Sequence, residues 1–453
     1  MRILFDSFLG NKWGYDVQTA EVRQIVDGII GDRTLNREHF TDVVNPVYHV
    51  TKDDIDEAIK RERQALVLNV TEECSNRCKY CVYGGGYPSE RGHSHATIDV
   101  NVAIQAVDEF LIGSRPCKRS ISFYGGEPMF PSGIKVIKEV VNHIEKKCPN
   151  DVKYTFTTNG NHLNRENVEY LVKNRFRIMV SLDGPRTVHD RYRRTITNKP
   201  TFDTVMSGLR VFKDMYQDYY DKNVGFICVL TPPLDYPALS KFWSTNELVK
   251  GHTLMISNVS LFGQILFSEE EMASFSSGTI DMTRSAVKKY YECICKGDIV
   301  GCTFERGLFE KDLAILHERQ GDVDAGEPDL MGRCIPGGRK CFVNTDGCYY
   351  ACEKLQGGYD IGNVISGIDS KKVNQLICDH EKIIQTKCRL CPYAKICTLC
   401  YVSTYDESHK FSAKRLEENC IERRSFNKLI IRLYASLLEK VGYDRLEEML
   451  GQK

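Results

Sequence analysis

Residues 65–81 read ALVLNVTEECSNRCKYC. The apolar run 65–70 has the character of a buried strand, and Cys74, Cys78 and Cys81 follow it at CxxxCxxC spacing. On a loop these thiols converge on one metal centre. On a helix they also share a face, so facing alone does not separate ligands from core residues. Their neighbours do: Asn76, Arg77 and Lys79 are poor core material, and Gly84-Gly85-Gly86 makes the next segment pliable. Three thiolates on a four-iron cubane leave one iron unsaturated, able to anchor a reactant and pass it an electron.

Outward from this stretch, short apolar runs alternate with amphipathic segments. Strands are expected at 66–70, 120–123, 153–157, 177–181, 224–229 and 253–259. Helices are expected near 100–110, 134–144, 165–173, 202–215 and 237–247. A βα repeat of this kind implies a parallel sheet with its chemistry at the carboxyl ends of the strands. Six strands point to an incomplete barrel over 65–262. Residues 1–64 differ: a hairpin turning at Gly10-Asn11 precedes a capped helix in TKDDIDEAIKRE. Residues 263–333 read as a helical connection, 334–420 as a cysteine-rich region, and 421–453 as a closing, peripheral helix.

The chain has 453 residues, 42% of them hydrophobic, enough for a large core and more than one domain. Its 61 basic and 61 acidic side chains cancel, which gives no electrostatic case for nucleic acid or an anionic membrane. The start lacks an apolar signal segment and no stretch is long and apolar enough to span a bilayer, so a cytoplasmic location is expected. The 19 cysteines are too many for ordinary packing. In a chain this long, metal-ligand spacings explain them better than a disulfide scaffold.

The CxxxCxxC motif resembles that of radical S-adenosylmethionine (SAM) enzymes, whose cysteines hold a [4Fe–4S] cluster completed by the amino and carboxylate groups of SAM. The resemblance places Tyr80 beside the adenine. It also matches SFYGGEPMF at the second strand end, where Gly125, Gly126 and Glu127 would hold the ammonium group of SAM. Further strand ends in FTTNG and MVSLDGP offer Asn159, Ser181 and Asp183 to its ribose or carboxylate, or to substrate. HDRYRR adds Arg194 for the carboxylate.

The later stretches RCIPGGRKCFVNTDGCYYACE and KCRLCPYAKICTLC contain two CxxC pairs, Cys388/Cys391 and Cys397/Cys400, which on spacing alone also fit zinc. The region is similar to the SPASM extension of radical SAM enzymes, with one gap shorter by a residue before Cys400. By that resemblance Cys334, Cys341, Cys352 and Cys400 hold an inner auxiliary [4Fe–4S] cluster. Cys388, Cys391, Cys397 and Cys420 hold an outer one, for three clusters in all. Should Cys341 or Cys400 not ligate, the inner cluster could grip a substrate thiolate. Glu353 matches a carboxylate that acts as a base in sulfatase-maturing relatives. Cys348 is near enough to substitute as a ligand, and the remaining cysteines are expected in the core.

The expected fold is therefore α/β: a partial (β/α)6 radical SAM barrel with an N-terminal α+β segment and a C-terminal auxiliary-cluster domain. The resemblance implies a maturase that installs cysteine thioether crosslinks in a ribosomally made precursor peptide. Its leader would bind residues 1–64, and flavodoxin or ferredoxin would supply electrons. Carbon–carbon crosslinking and sulfatase-type oxidation of serine or cysteine are the alternatives.

Overall fold

The computed structural model describes residues 2–26, 29–30, 33–34, 50–61, 63–84, 92–116, 118–259, 264, 266–319, 334–355, 357–406 and 408–451. The chain opens with an antiparallel sheet, β1 (Arg2–Asp6), β2 (Lys12–Asp16), β3 (Val22–Val26), β4 (Ile29–Ile30) and β5 (Arg33–Thr34), followed by α1 (Lys52–Arg61). The first turn runs through Gly10 at φ 86°, with the Ser7 hydroxyl accepting from the Leu9 and Asn11 amides.

The βα repeat comes next: β6 (Ala65–Thr71), α2 (Val100–Ile112), β7 (Arg119–Gly125), α3 (Pro131–Lys147), β8 (Val152–Thr158), α4 (Arg165–Lys173) and β9 (Arg177–Ser181). It continues through α5 (Arg186–Tyr192), α6 (Phe202–Met215), α7 (Gln217–Asn223), β10 (Val224–Leu230), α8 (Tyr236–Thr245) and β11 (Leu254–Asn258). The six strands pair in parallel in chain order. Six consecutive positions of β6, Leu66–Thr71, are buried, as a central strand covered on both faces requires. Local chemistry fixes the helix starts: Asp99 caps α2 through the Asn101 and Val102 amides, and Asp235 caps α8 through the Ala238 amide.

Two helices follow, α9 (Glu269–Lys296) and α10 (Thr303–Glu318); a Ser268/Glu271 capping box opens α9 and left-handed Gly297 ends it. The cysteine-rich region then returns to the same sheet. β12 (Lys340–Val343) pairs in parallel with β6, Lys340 opposite Ala65 and Val343 opposite Leu68. β13 (Cys348–Tyr350), β14 (Asp360–Asn363) and β15 (Gly367–Ile368) continue antiparallel. The result is one ten-stranded sheet ordered β11-β10-β9-β8-β7-β6-β12-β13-β14-β15. This is a mixed α/β fold with a cysteine-rich C-terminal region.

The chain closes with α11 (Ser370–Arg389), α12 (Ala413–Val441) and α13 (Tyr443–Leu450). The expected peripheral helix is corrected in two respects. It begins before Cys420, and its apolar face (Ile430, Ile431, Leu433, Tyr434, Leu437) belongs to a second core shared with Trp13, Tyr15, α9 and α10. Among the described residues, no helix is long and apolar enough to cross a membrane.

Candidate active site

The loop leaving β6 carries Cys74, Cys78 and Cys81 at the carboxyl end of the parallel sheet. The end of β7 presses against it: the Gly126 amide donates to the Thr71 carbonyl and the Glu127 amide to the Glu73 carbonyl, both at 2.8 Å. A Cβ on Gly125 would lie 2.1 Å from the Thr71 carbonyl oxygen, and one on Gly126 2.4 Å from that of Glu73, so only glycine permits the approach. Behind them, the buried carboxylate of Glu127 accepts from the Asn159 amide (2.6 Å), the Thr158 hydroxyl (2.7 Å) and the Met129 amide (3.0 Å). It ties the ends of β7 and β8 together, so its side chain is not directed at a ligand as expected.

Asn159 reaches the cysteine loop directly, its side-chain amide donating to Cys74 Sγ at 3.6 Å and to the Ser75 hydroxyl at 3.3 Å. Asn161 adds a bond to Asn76 Oδ1 at 2.7 Å. On the other side the loop is stitched to the segment after α5, with Arg77 N donating to Arg194 O and Lys79 N to Tyr192 O. Cys74 and Cys78 are buried. Burial, aided by Glu127, pushes the Cys74 thiol up to about 12. Burial also pushes Cys78 up, to about 11, against the pull of the Arg193 guanidinium.

Arg193 is the arginine that reaches the site, in place of the expected Arg194. Buried, it donates to the Tyr80 hydroxyl at 2.8 Å and sits 3.9 Å from Asp183, whose other oxygen accepts from Tyr80. Asp183 also accepts from the Val229 amide at 3.1 Å, linking β10 to the group. Burial raises the Asp183 carboxyl while Arg193 opposes it. Arg194 turns outward to the Asn198 carbonyl. Ser181 stands half-buried at the end of β9.

Three thiols from one loop, two of them buried and Cys81 partly so, fit a four-iron cluster with one iron left for another ligand. Around them Asn76 Nδ2, Asn161 Oδ1 and Arg193 Nε are buried without hydrogen-bond partners, an unmet polar demand that a charged ligand would satisfy. The donor set therefore fits an iron–sulfur cluster with SAM.

Seven of the other cysteines form two groupings. Cys334 and Cys352 both lie close enough to Cys400 to feel its charge; burial is the larger cause of their raised thiols, that of Cys352 reaching about 12. Beside Cys352, Glu353 is held by Lys340 at 3.1 Å. Cys341 does not join them. On β12 it points to the face opposite Lys340, where burial pushes it up to about 12 near Arg63 and Glu109. Cys348 lies by Asp346.

Cys388, Cys391, Cys397 and Cys420 line one cavity with Cys400, Arg424 and Asn427. Arg424 hydrogen-bonds Cys391. Among the described residues, no three His, Cys, Asp or Glu side chains converge on a single metal ion. A soft, all-thiol set with cationic and amide donors around it fits an anionic cluster.

Residues 68–234 match the model of the Radical SAM superfamily. The chain is a radical SAM enzyme. The radical SAM enzyme is 24% identical over 156 residues to a cysteine-type anaerobic sulfatase-maturating enzyme of Clostridium novyi (strain NT), covering 34% of this chain and 41% of that one. It is 21% identical over 343 residues to the enzyme of the same name from Clostridium perfringens (strain 13 / Type A), covering 73% and 86%. The solved structure of native anSMEcpe with bound AdoMet and Cp18Cys peptide matches with TM-score 0.58 at 18% identity, covering 85% and 98%. That likeness is one of fold.

Proposed function

We propose that this radical SAM enzyme oxidises a cysteine or serine side chain within a peptide or protein segment, in the manner for which its sulfatase-maturating relatives are named. The observation that carries the reading is the reach of the likeness: it spans 86% of the Clostridium perfringens enzyme. That reach, over 343 residues, extends well past the matched domain. The six parallel βα units are read as the partial barrel, and the three cysteine groups as cluster sites.

Cys74, Cys78 and Cys81 would hold the first cluster, which with SAM would supply the radical chemistry that takes hydrogen from the side-chain carbon. Gly125 and Gly126 offer backbone to SAM, and Asn159 steadies Cys74. Arg193 places a buried positive charge beside the cluster. Glu353, oriented by Lys340, takes the proton from the substrate thiol or hydroxyl. In balance, SAM is the two-electron oxidant: one hydrogen leaves in 5′-deoxyadenosine, the other as a proton to Glu353. Water then replaces sulfur in a cysteine substrate, releasing hydrogen sulfide. Auxiliary clusters would relay electrons, and a small reducing protein such as flavodoxin or ferredoxin would supply them.

Thioether formation remains the second reading, favoured by one observation. With Cys341 turned away, the inner grouping has three cysteines among the described residues, which leaves room for a substrate thiolate. The two readings differ in the fate of sulfur. Reconstituted enzyme would be incubated anaerobically with SAM, reductant and the Cp18Cys peptide, then the product weighed by mass spectrometry. Exchange of sulfur for oxygen with sulfide release supports oxidation. A peptide that loses two hydrogens and keeps sulfur in a crosslink supports the thioether reading. SAM cleavage with unchanged peptide overturns both for this substrate class.

A further inference from the structure

The outer cysteine cavity holds polar groups that the fold itself does not use. Asn427 of α12 lines it, is 1% exposed, and has no partner for either its amide oxygen or its nitrogen. A buried amide left in that state costs about 1–3 kcal/mol, so a group filling the cavity must answer it. Tyr15 approaches from β2, at the other end of the chain. It is 0% exposed, its hydroxyl has no partner, and its ring stacks on Tyr393 at 6.3 Å and 29°. Tyr393 lies two residues beyond Cys391 and lines the same cavity. The Tyr15 hydroxyl, buried and unpartnered behind Tyr393, is a donor left unused on that side of the cavity.

We propose that Asn427 and Tyr15 donate hydrogen bonds to the sulfurs of the cluster held by Cys388, Cys391, Cys397 and Cys420, and so raise its reduction potential. The inference rests on reading that set as an iron–sulfur site. Donation to sulfur favours the reduced, more negative cluster. Arg424 acts on Cys391 in the same sense with a full charge, while Asn427 does so as a neutral group lining the cavity and Tyr15 as one packed behind Tyr393. They are positioning residues, acting through the cluster and not on substrate.

The test uses the reconstituted full-length enzyme with Asn427→Leu, Tyr15→Phe and both together. Iron, sulfide and zinc are counted, and each cluster's potential is followed by EPR-monitored redox titration. The expected result is unchanged iron, with one cluster shifted to a more negative potential by each change and further by the pair, and the others unmoved. Full iron with unmoved potentials overturns the inference alone. Zinc in the outer set of the unaltered enzyme overturns the cluster reading and the inference with it. If Asn427→Leu loses iron, Tyr15→Phe decides, since it removes a single oxygen from a side chain that keeps its packing.

Discussion

Arg193 and Arg194 are neighbours in sequence and opposites in circumstance. Arg193 shares a buried group with Tyr80 and Asp183, while Arg194 bonds a loop carbonyl. Arg193→Met, which leaves Asp183 buried without its cation, should lower stability by about 3 kcal/mol in denaturant unfolding. Arg194→Ala should stay within about 0.5 kcal/mol. Equal effects would remove the distinction. HDRYRR could not choose between them, because the choice is made by Asp183 and Tyr80, which are distant in sequence. The cysteine loop, by contrast, was legible from its own spacing. Cys78→Ala should abolish reductive SAM cleavage, measured as 5′-deoxyadenosine, while leaving most auxiliary iron. The thiols also predict a pH effect in cluster-free protein. Burial raises Cys74 and Cys78 from the ordinary 9.0 to about 12 and about 11, so folding opposes their ionisation. Their contribution is complete below pH 9.0 and is lost as the unfolded chain ionises through pH 9–12, so melting temperature should fall over that range.

At the scale of elements, alternation along β12 overrules cysteine spacing. Lys340 and Cys341 are adjacent, so a strand must send them to opposite faces: one to Glu353, the other toward Arg63 and Glu109. Cys341→Ala should therefore leave iron per chain unchanged, whereas Cys352→Ala should lower it. Loss of iron in Cys341→Ala, with the fold intact by circular dichroism, would restore it as a ligand. The six strands from β6 to β11 were legible because each is a short run with apolar positions set between amphipathic helical segments, and the expected and observed spans differ by a residue or two. β12 was not, since KCFV is four residues long and its partner, β6, lies far back in the chain. The start of α12 was hidden in the same way: AKRLEENC is polar at its beginning and acquires its apolar face only further on.

Across the whole molecule, the two ends of the chain meet. Arg432 Nε donates to the Asp6 carbonyl at 2.9 Å, the Phe8 amide donates to the Ser436 hydroxyl at 2.8 Å, and the Trp13 indole donates to Glu439. A segment that served only to capture a leader would tolerate change here. Instead Trp13→Ala should cost about 3 kcal/mol in global unfolding, as a buried tryptophan in a shared core does. A change well under that would return residues 1–64 to a purely recognising role. The seam between β6 and β12 has a different bearing, on inheritance. An auxiliary region transplanted from a relative at a crossover point beyond Val343 would keep the seam. A crossover before Lys340 would ask a foreign strand to find the register of Ala65–Leu68. Where that graft failed, β6 would be left with an unmatched amide ladder, a template for gluing one copy to the next. Chimeras of this enzyme should therefore sort by that seam into those that stay dispersed and those that clump.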